Sequence, residues 1–110
     1  MAELHLLGTG AALSDGTRTT TMIAVESERS AILVDCGGDA IHRLQAAGVP
    51  PGKLAALFLT HRHPDHVAGF PLLMEKLWLS DRSEPLPVYG PESALQQVQR
   101  CFSTFDTTGW

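Results

Sequence analysis

This chain lacks the means to cross a membrane as a helix, because no apolar stretch approaches the roughly 20 residues that a spanning segment needs. It has only two cysteines, Cys36 and Cys101, too few for a disulfide framework and at a spacing that matches no zinc pattern. A reducing cytoplasm is the simpler setting for such a composition. Basic residues are scarce: 8 Lys and Arg stand against 12 Asp and Glu, and a formal charge of −4 leaves no basic footprint for nucleic acid. The opening Met1-Ala2-Glu3-Leu4-His5 has no basic segment of the kind that begins a secretory signal. Charged residues make up 18% of the chain and apolar residues 44%, which suits a soluble body whose sheet faces are largely covered. Internal repeats, low-complexity tracts and linkers are missing as well, so residues 1–110 read as a single domain.

What is present is an alternation of strand and helix signals. Glu3 to Leu7 reads as a strand, and Gly8 to Arg18, rich in glycine and threonine, as a loop. The β-branched Thr19 to Val25 and the run Ala31 to Val34 read as a hairpin around Glu26-Ser27-Glu28-Arg29. Asp39 is placed to cap a helix carrying Ile41, Leu44 and Gln45, stopped by Gly48 and Pro50-Pro51. Leu54 to Leu59 reads as a buried strand. Pro71 opens a helix through Leu72, Leu73, Leu77 and Trp78, whose Leu/Trp stripe suits a core or a subunit interface. Leu86 to Tyr89 reads as a last strand, followed by a helix carrying Leu95, Val98 and Phe102. Such alternation predicts an α/β layered fold.

The most informative stretch is Thr60-His61-Arg62-His63-Pro64-Asp65-His66, which follows the Leu54 to Leu59 strand directly. On an extended backbone, side chains two apart point the same way, so His61 and His63 converge on one ion. Pro64 then turns the chain, and Asp65 and His66 leave in another direction, toward a second ion. Imidazole and carboxylate suit zinc, with manganese or iron as alternatives. Three of the chain's five histidines in one loop are not the pattern of a solvated surface turn. His5 has no partner motif and His42 sits on a helix beside Arg43, so both read as packed or surface residues. Cys36 reads as a small buried apolar residue without a nucleophile's neighbours. Gly8-Thr9-Gly10 reads as a tight turn; it lacks the lysine of a phosphate-binding loop. Asp35, after Ile32-Leu33-Val34 and before two glycines, is either a turn-former or a carboxylate supporting the histidine loop.

In order along the chain, Leu7-Gly8-Thr9-Gly10-Ala11-Ala12, Ile32-Leu33-Val34-Asp35-Cys36-Gly37-Gly38, the His61 to His66 signature and Ala68-Gly69-Phe70-Pro71-Leu72-Leu73 with Val88-Tyr89-Gly90-Pro91 resemble the N-terminal part of a metallo-β-lactamase-fold hydrolase, most of all ribonuclease Z and its relatives. The resemblance spans nearly the whole chain. Two departures are visible: Pro64 stands where ribonuclease Z proteins usually have glycine, and Gly38-Asp39-Ala40 where they continue with Glu-Gly-Thr. The resemblance implies the N-terminal half of an αββα sandwich, with a site of two zinc ions and a water activated between them. It implies metal ligation by His61, His63, Asp65 and His66, proton acceptance by Asp65, and a supporting role for Asp35. It also implies a phosphodiester substrate, RNA among them, and leaves a homodimer open. Other relatives of this kind hydrolyse thioesters, lactones or sulfate esters, which is the alternative chemistry. Family members take further histidine and aspartate ligands from later strands, yet no histidine follows His66, and Asp81 and Asp106 are the only later aspartates. The expectation is therefore a partial domain with little activity of its own. At its limit, this would be a non-catalytic metal-binding fragment with an uncovered, self-associating sheet face.

Overall fold

A computed structural model describes residues 1–110. Five strands form one mixed sheet in sequence order: β1 (Glu3–Gly8), β2 (Met22–Glu26), β3 (Ala31–Val34), β4 (Leu54–Phe58) and β5 (Val88–Tyr89). The first three pair antiparallel, and β4 and β5 join in parallel, each reached through a helical crossover. The helices are α1 (Ala40–Ala46), the single turn α2 (Pro64–Val67), α3 (Phe70–Leu79) and α4 (Glu92–Ser103), with a short 3₁₀ turn at Pro51–Lys53.

Local chemistry accounts for the boundaries. The Asp39 side chain accepts from the His42 N–H at 3.2 Å, capping α1, and Gly48 takes φ 79° just beyond its end. Pro64 occupies the first position of α2, and Phe70 precedes Pro71 at the start of α3, where a missing N–H costs nothing. The expected strand over Thr19 to Val25 begins only at Met22. Thr19 and Thr20 instead cross the Gly8–Gly10 loop, where the Gly10 N–H donates to Thr19 O at 2.7 Å. A Cβ on Gly8 would stand 1.8 Å from Thr20 O, so that crossing requires glycine.

All the packing lies on one side of the sheet. Leu7, Met22, Ala24, Ala31, Leu33, Leu54, Leu57 and Leu59 point to the helices and form a single cluster with Ile41, Leu44, Leu73, Leu77 and Val98. Arg43 Nε donates to Leu7 O at 2.7 Å, and Lys76 Nζ to Asp39 Oδ2 at 2.6 Å, tying α1 to β1 and to α3. The Leu/Trp stripe of α3 divides: Leu73 and Leu77 are buried, whereas Trp78 is 41% exposed and stacks on Trp110 at 5.3 Å.

The opposite face has no cover. Cross-strand register lines up Leu4 and Leu6 with Val25 and Ile23, these with Ile32 and Val34, then Val34 with Phe58 and Phe58 with Tyr89. None of these eight side chains belongs to the core cluster; Leu4 and Leu6 are 65% and 61% exposed, and Phe58 stacks on Tyr89 at 5.1 Å. This uncharged face is uncovered, contrary to the largely covered sheet faces that the composition suggested and as in the fragment alternative.

Candidate metal centre

The site is built where β4 ends. Asp35 leaves β3 with φ 63°, a left-handed conformation that aspartate tolerates better than most residues. Its N–H still donates to Phe58 O at 2.8 Å, continuing the β3–β4 pairing by one residue. The turn aims the Asp35 carboxylate, only 3% exposed, at the start of the histidine loop. There Oδ1 accepts from the Thr60 N–H at 2.8 Å, while Oδ2 lies 2.7 Å from Thr60 Oγ1 and 2.6 Å from His66 Nδ1. A buried carboxylate needs such donors, and these three meet the need. Asp35 thus makes three contacts to the histidine loop, two to Thr60 and one to His66.

The next loop clamps the motif from behind. The Cys36 N–H donates to His66 O at 2.9 Å and the Gly69 N–H to Cys36 O at 2.8 Å. A Cβ on Gly37 would stand 1.8 Å from Asp65 O, and one on Gly69 2.0 Å from Gly38 O, so a side chain at either position would force the backbone to shift. Cys36 is fully buried; burial, with the Asp35 charge beside it, pushes its thiol up to about 12, which removes it as a nucleophile.

Donor atoms of His61, His63 and Asp65 all lie within 4.8 Å of one another. The His61 and His63 rings meet edge-on at 4.8 Å, and His61 lies over His66 at 3.8 Å. Asp65 joins the histidine pair as well as facing His66, whose Nε2 stands 3.2 Å from Asp65 Oδ2. The turn of α2 that begins at Pro64 folds Asp65 back toward the rings, a geometry that an extended reading of the loop does not supply. Because an ionised carboxylate only accepts, the His66 Nδ1 proton is directed at Asp35, and Nε2 faces the Asp65 carboxylate at 3.2 Å, where a cation placed between them would meet both donors. Two imidazoles with a carboxylate in reach, and a third imidazole oriented by a buried carboxylate, form a donor set of the kind that holds a divalent ion. The residues present fit a metal.

The remaining singled-out residues lie elsewhere. His42 is exposed on α1. His5 sits at the other end of the sheet, 3.1 Å from Glu26 Oε1; a hydrogen bond from Lys53 and then one from His5 hold the Glu26 carboxyl below its usual range. Glu3, His5 and Glu26 form a second close group of donor atoms there, with Lys53 Nζ already 2.8 Å from Glu26 Oε2. The glycine loop at Gly8–Gly10 adjoins Gly38 through the intervening Thr19 and Thr20. Thr60 and Gly37 are the residues that the motif reading passed over. A glycine directly after Asp35-Cys36 and a hydroxyl directly before His61 were the available signals.

A mixed sheet with helices on one face and a His-x-His-x-Asp-His loop at a strand end correspond to the N-terminal half of the metallo-β-lactamase fold. Solved structures agree: human tRNase Z, short form, superposes with a TM-score of 0.80 at 30% identity, over 94% of this chain and 40% of that one. The metallo-beta-lactamase fold protein YhfI from Bacillus subtilis gives 0.76 at 28% identity, over 90% and 40%. The model of the family described as Anti-Pycsar protein Apyc1 matches residues 2–102, and the chain belongs to that family. Among curated proteins it is similar to the ribonuclease Z of Pyrococcus abyssi, 35% identical over 104 residues, which are 94% of this chain and 34% of that protein. The ribonuclease Z of Bacillus licheniformis is 40% identical over 93 residues, 82% of this chain and 30% of that protein. The chain thus spans about a third of the length of the curated relatives it matches. No helix in it is long and apolar enough to cross a membrane.

Proposed function

We propose that this chain carries the metal-binding part of a metal-dependent phosphodiesterase of the ribonuclease Z type. The observation behind the reading is the convergence of His61, His63 and Asp65 within 4.8 Å, at the strand end where Asp35 orients His66. Relatives named ribonuclease Z, at 35% and 40% identity, supply the reaction class. In this reading His61 and His63 hold one ion and Asp65 and His66 a second, with Asp65 close to both. Zinc suits these donors, and manganese or iron are the alternatives. When bound, the ions supply Lewis acidity: they lower the pKa of water toward neutrality and stabilise negative charge developing on the phosphoryl group.

The side chains do the rest. Asp35 holds the His66 ring so that Nε2 faces the site, and Asp65 accepts the proton of the attacking water. The clamp of Cys36 and Gly37 keeps the Asp65 and His66 backbone from shifting. RNA as the substrate, a homodimer and a cytoplasmic setting complete the proposal, and residues 1–110 are read as one partial domain. A catalytic zinc takes about three protein ligands, and two ions sharing His61, His63, Asp65 and His66 have fewer each, so isolated activity is expected to be slight.

A chimera tests the reaction class. The matched segment of this chain replaces the corresponding third of Pyrococcus abyssi ribonuclease Z, and the metal-loaded product is given bis(p-nitrophenyl) phosphate, a thioester, a lactone and a sulfate ester. Diester turnover that vanishes with His63→Ala is expected. A folded, metal-loaded chimera that turns over another ester class but no diester would overturn the assignment.

A further inference from the structure

Thr60 precedes the histidine motif and has no role in it by sequence, yet three of its neighbours are the groups that matter. Its Oγ1 lies 2.7 Å from Asp35 Oδ2, 3.1 Å from His61 Nδ1 and 3.3 Å from His66 Nδ1. A hydroxyl has one proton to donate and two lone pairs to accept with. The Asp35 carboxylate accepts only and is the nearest partner, so the Thr60 proton goes to Oδ2. With that proton committed, Oγ1 can meet His61 Nδ1 only as an acceptor, which places a proton on Nδ1. His66 Nδ1 has a closer acceptor in Asp35 Oδ2 at 2.6 Å and makes no equal demand on the hydroxyl.

We propose that Thr60 is a positioning residue for the metal centre: its hydroxyl relays the Asp35 charge to His61, fixing the Nδ1–H tautomer and leaving the Nε2 lone pair for the ion. One buried carboxylate then orients two ligands, His66 directly and His61 through Thr60. The backbone bond from the Thr60 N–H to Asp35 Oδ1, 2.8 Å, keeps the hydroxyl in register with the carboxylate. A neutral imidazole in water prefers its proton on Nε2, so without the relay His61 would offer the wrong nitrogen for much of the time. His63 lies outside the relay, its ring meeting His61 edge-on, and serves as an internal control.

The proposal rests on the metal reading above, but its first readout does not need metal. Long-range proton–nitrogen correlation NMR of the metal-free 110-residue chain, at a pH where the imidazoles are neutral, reports which ring nitrogen carries the proton. The wild-type chain is expected to show His61 protonated at Nδ1 and bare at Nε2. Thr60→Val, which keeps the shape and removes the hydroxyl, is expected to shift His61 toward the Nε2–H form while His63 stays unchanged; Thr60→Ser restores the wild-type pattern. Competition with a chromophoric chelator, zinc alone being the probe, should show about tenfold to a hundredfold weaker zinc binding in Thr60→Val and none of that loss in Thr60→Ser. A bare Nδ1 on His61 in the wild type would overturn the relay even if the valine variant fails to fold. So would a folded Thr60→Val with unchanged tautomer and zinc affinity. If the tautomer pattern holds but the wild type takes up no zinc, the metal reading fails and the relay stands.

Discussion

Asp35 Oδ2 and His66 Nδ1 lie 2.6 Å apart, a contact between a carboxylate at the end of β3 and an imidazole 31 residues later in α2. It directs the His66 Nδ1 proton to Asp35 and turns Nε2 toward Asp65. Replacing Asp35 by asparagine keeps an acceptor for the Thr60 N–H but turns an amide NH₂ toward His66 Nδ1. The imidazole must then accept at Nδ1 and carry its proton on Nε2, the atom facing Asp65. Asp35→Asn is therefore expected to fold and to bind zinc about tenfold to a hundredfold more weakly, read by chelator competition. Wild-type zinc affinity in a folded Asp35→Asn chain would contradict the orienting role.

Gly37 tests the clamp. A methyl group there would have to occupy space 1.8 Å from Asp65 O, which is backbone and cannot swing aside. Gly37→Ala is expected to lower stability by about 1–3 kcal/mol, the usual range for overpacking a well-filled site, measured by urea denaturation. Gly52→Ala, where a Cβ meets nothing within 4 Å, is the control and should leave the midpoint nearly unchanged.

Asp39 gives a pH-dependent prediction. Burial raises its carboxyl pKa, but hydrogen bonds from Lys76 and from the His42 N–H outweigh that and hold it below the usual carboxylate value. A depressed carboxylate stabilises the fold above its unfolded pKa, and the contribution is lost as pH falls through the lower, folded value. Asp39→Ala should cost about 1 kcal/mol at neutral pH through loss of the α1 cap. The gap between wild type and variant should close as the pH is taken below 3.8, as followed by denaturation at a series of pH values. A gap that stays constant through that range would remove the charged carboxylate from the account.

The bare sheet face makes its own prediction. Leu6, Ile23, Val34 and Phe58 form an uncharged, in-register apolar strip, and such strips self-associate in water. Sedimentation velocity should show mass rising with concentration for the 110-residue chain. Leu6→Lys, a charge at a side chain already 61% exposed, should reduce that rise while leaving the circular dichroism spectrum intact. A wild-type chain that stays monomeric across the range would show that the strip is not adhesive.

Much of this architecture was legible locally. The alternation in Ala31 to Val34, the unbroken apolar run before Thr60 and the Asp39 cap each act over a few residues, and each appears in the structure where those residues place it. What was not legible depends on contacts between distant segments. Thr19 to Thr21 have strand-forming side chains, but Gly8 and Gly10 let the backbone cross there instead. The turn at Pro64 was expected to send Asp65 away with His66, but the helical turn that begins there also brings Asp65 within reach of His61 and His63. Thr60 stands directly before His61 as a hydroxyl, but its contact partner Asp35 lies 25 residues earlier, which the local sequence does not show. The sequence brings His61, His63 and Asp65 together in one loop, and their closeness in space depends on the turn that follows.

The most direct test of the central claim is tightly bound metal per chain, by elemental analysis of wild type and His63→Ala after loading with zinc and gel filtration. Zinc is expected to be retained by the wild type in stoichiometric amount and largely lost in His63→Ala, with both chains giving the same circular dichroism spectrum. Equal zinc in the two chains, or none in the wild type, would contradict a metal centre built on His61, His63, Asp65 and His66.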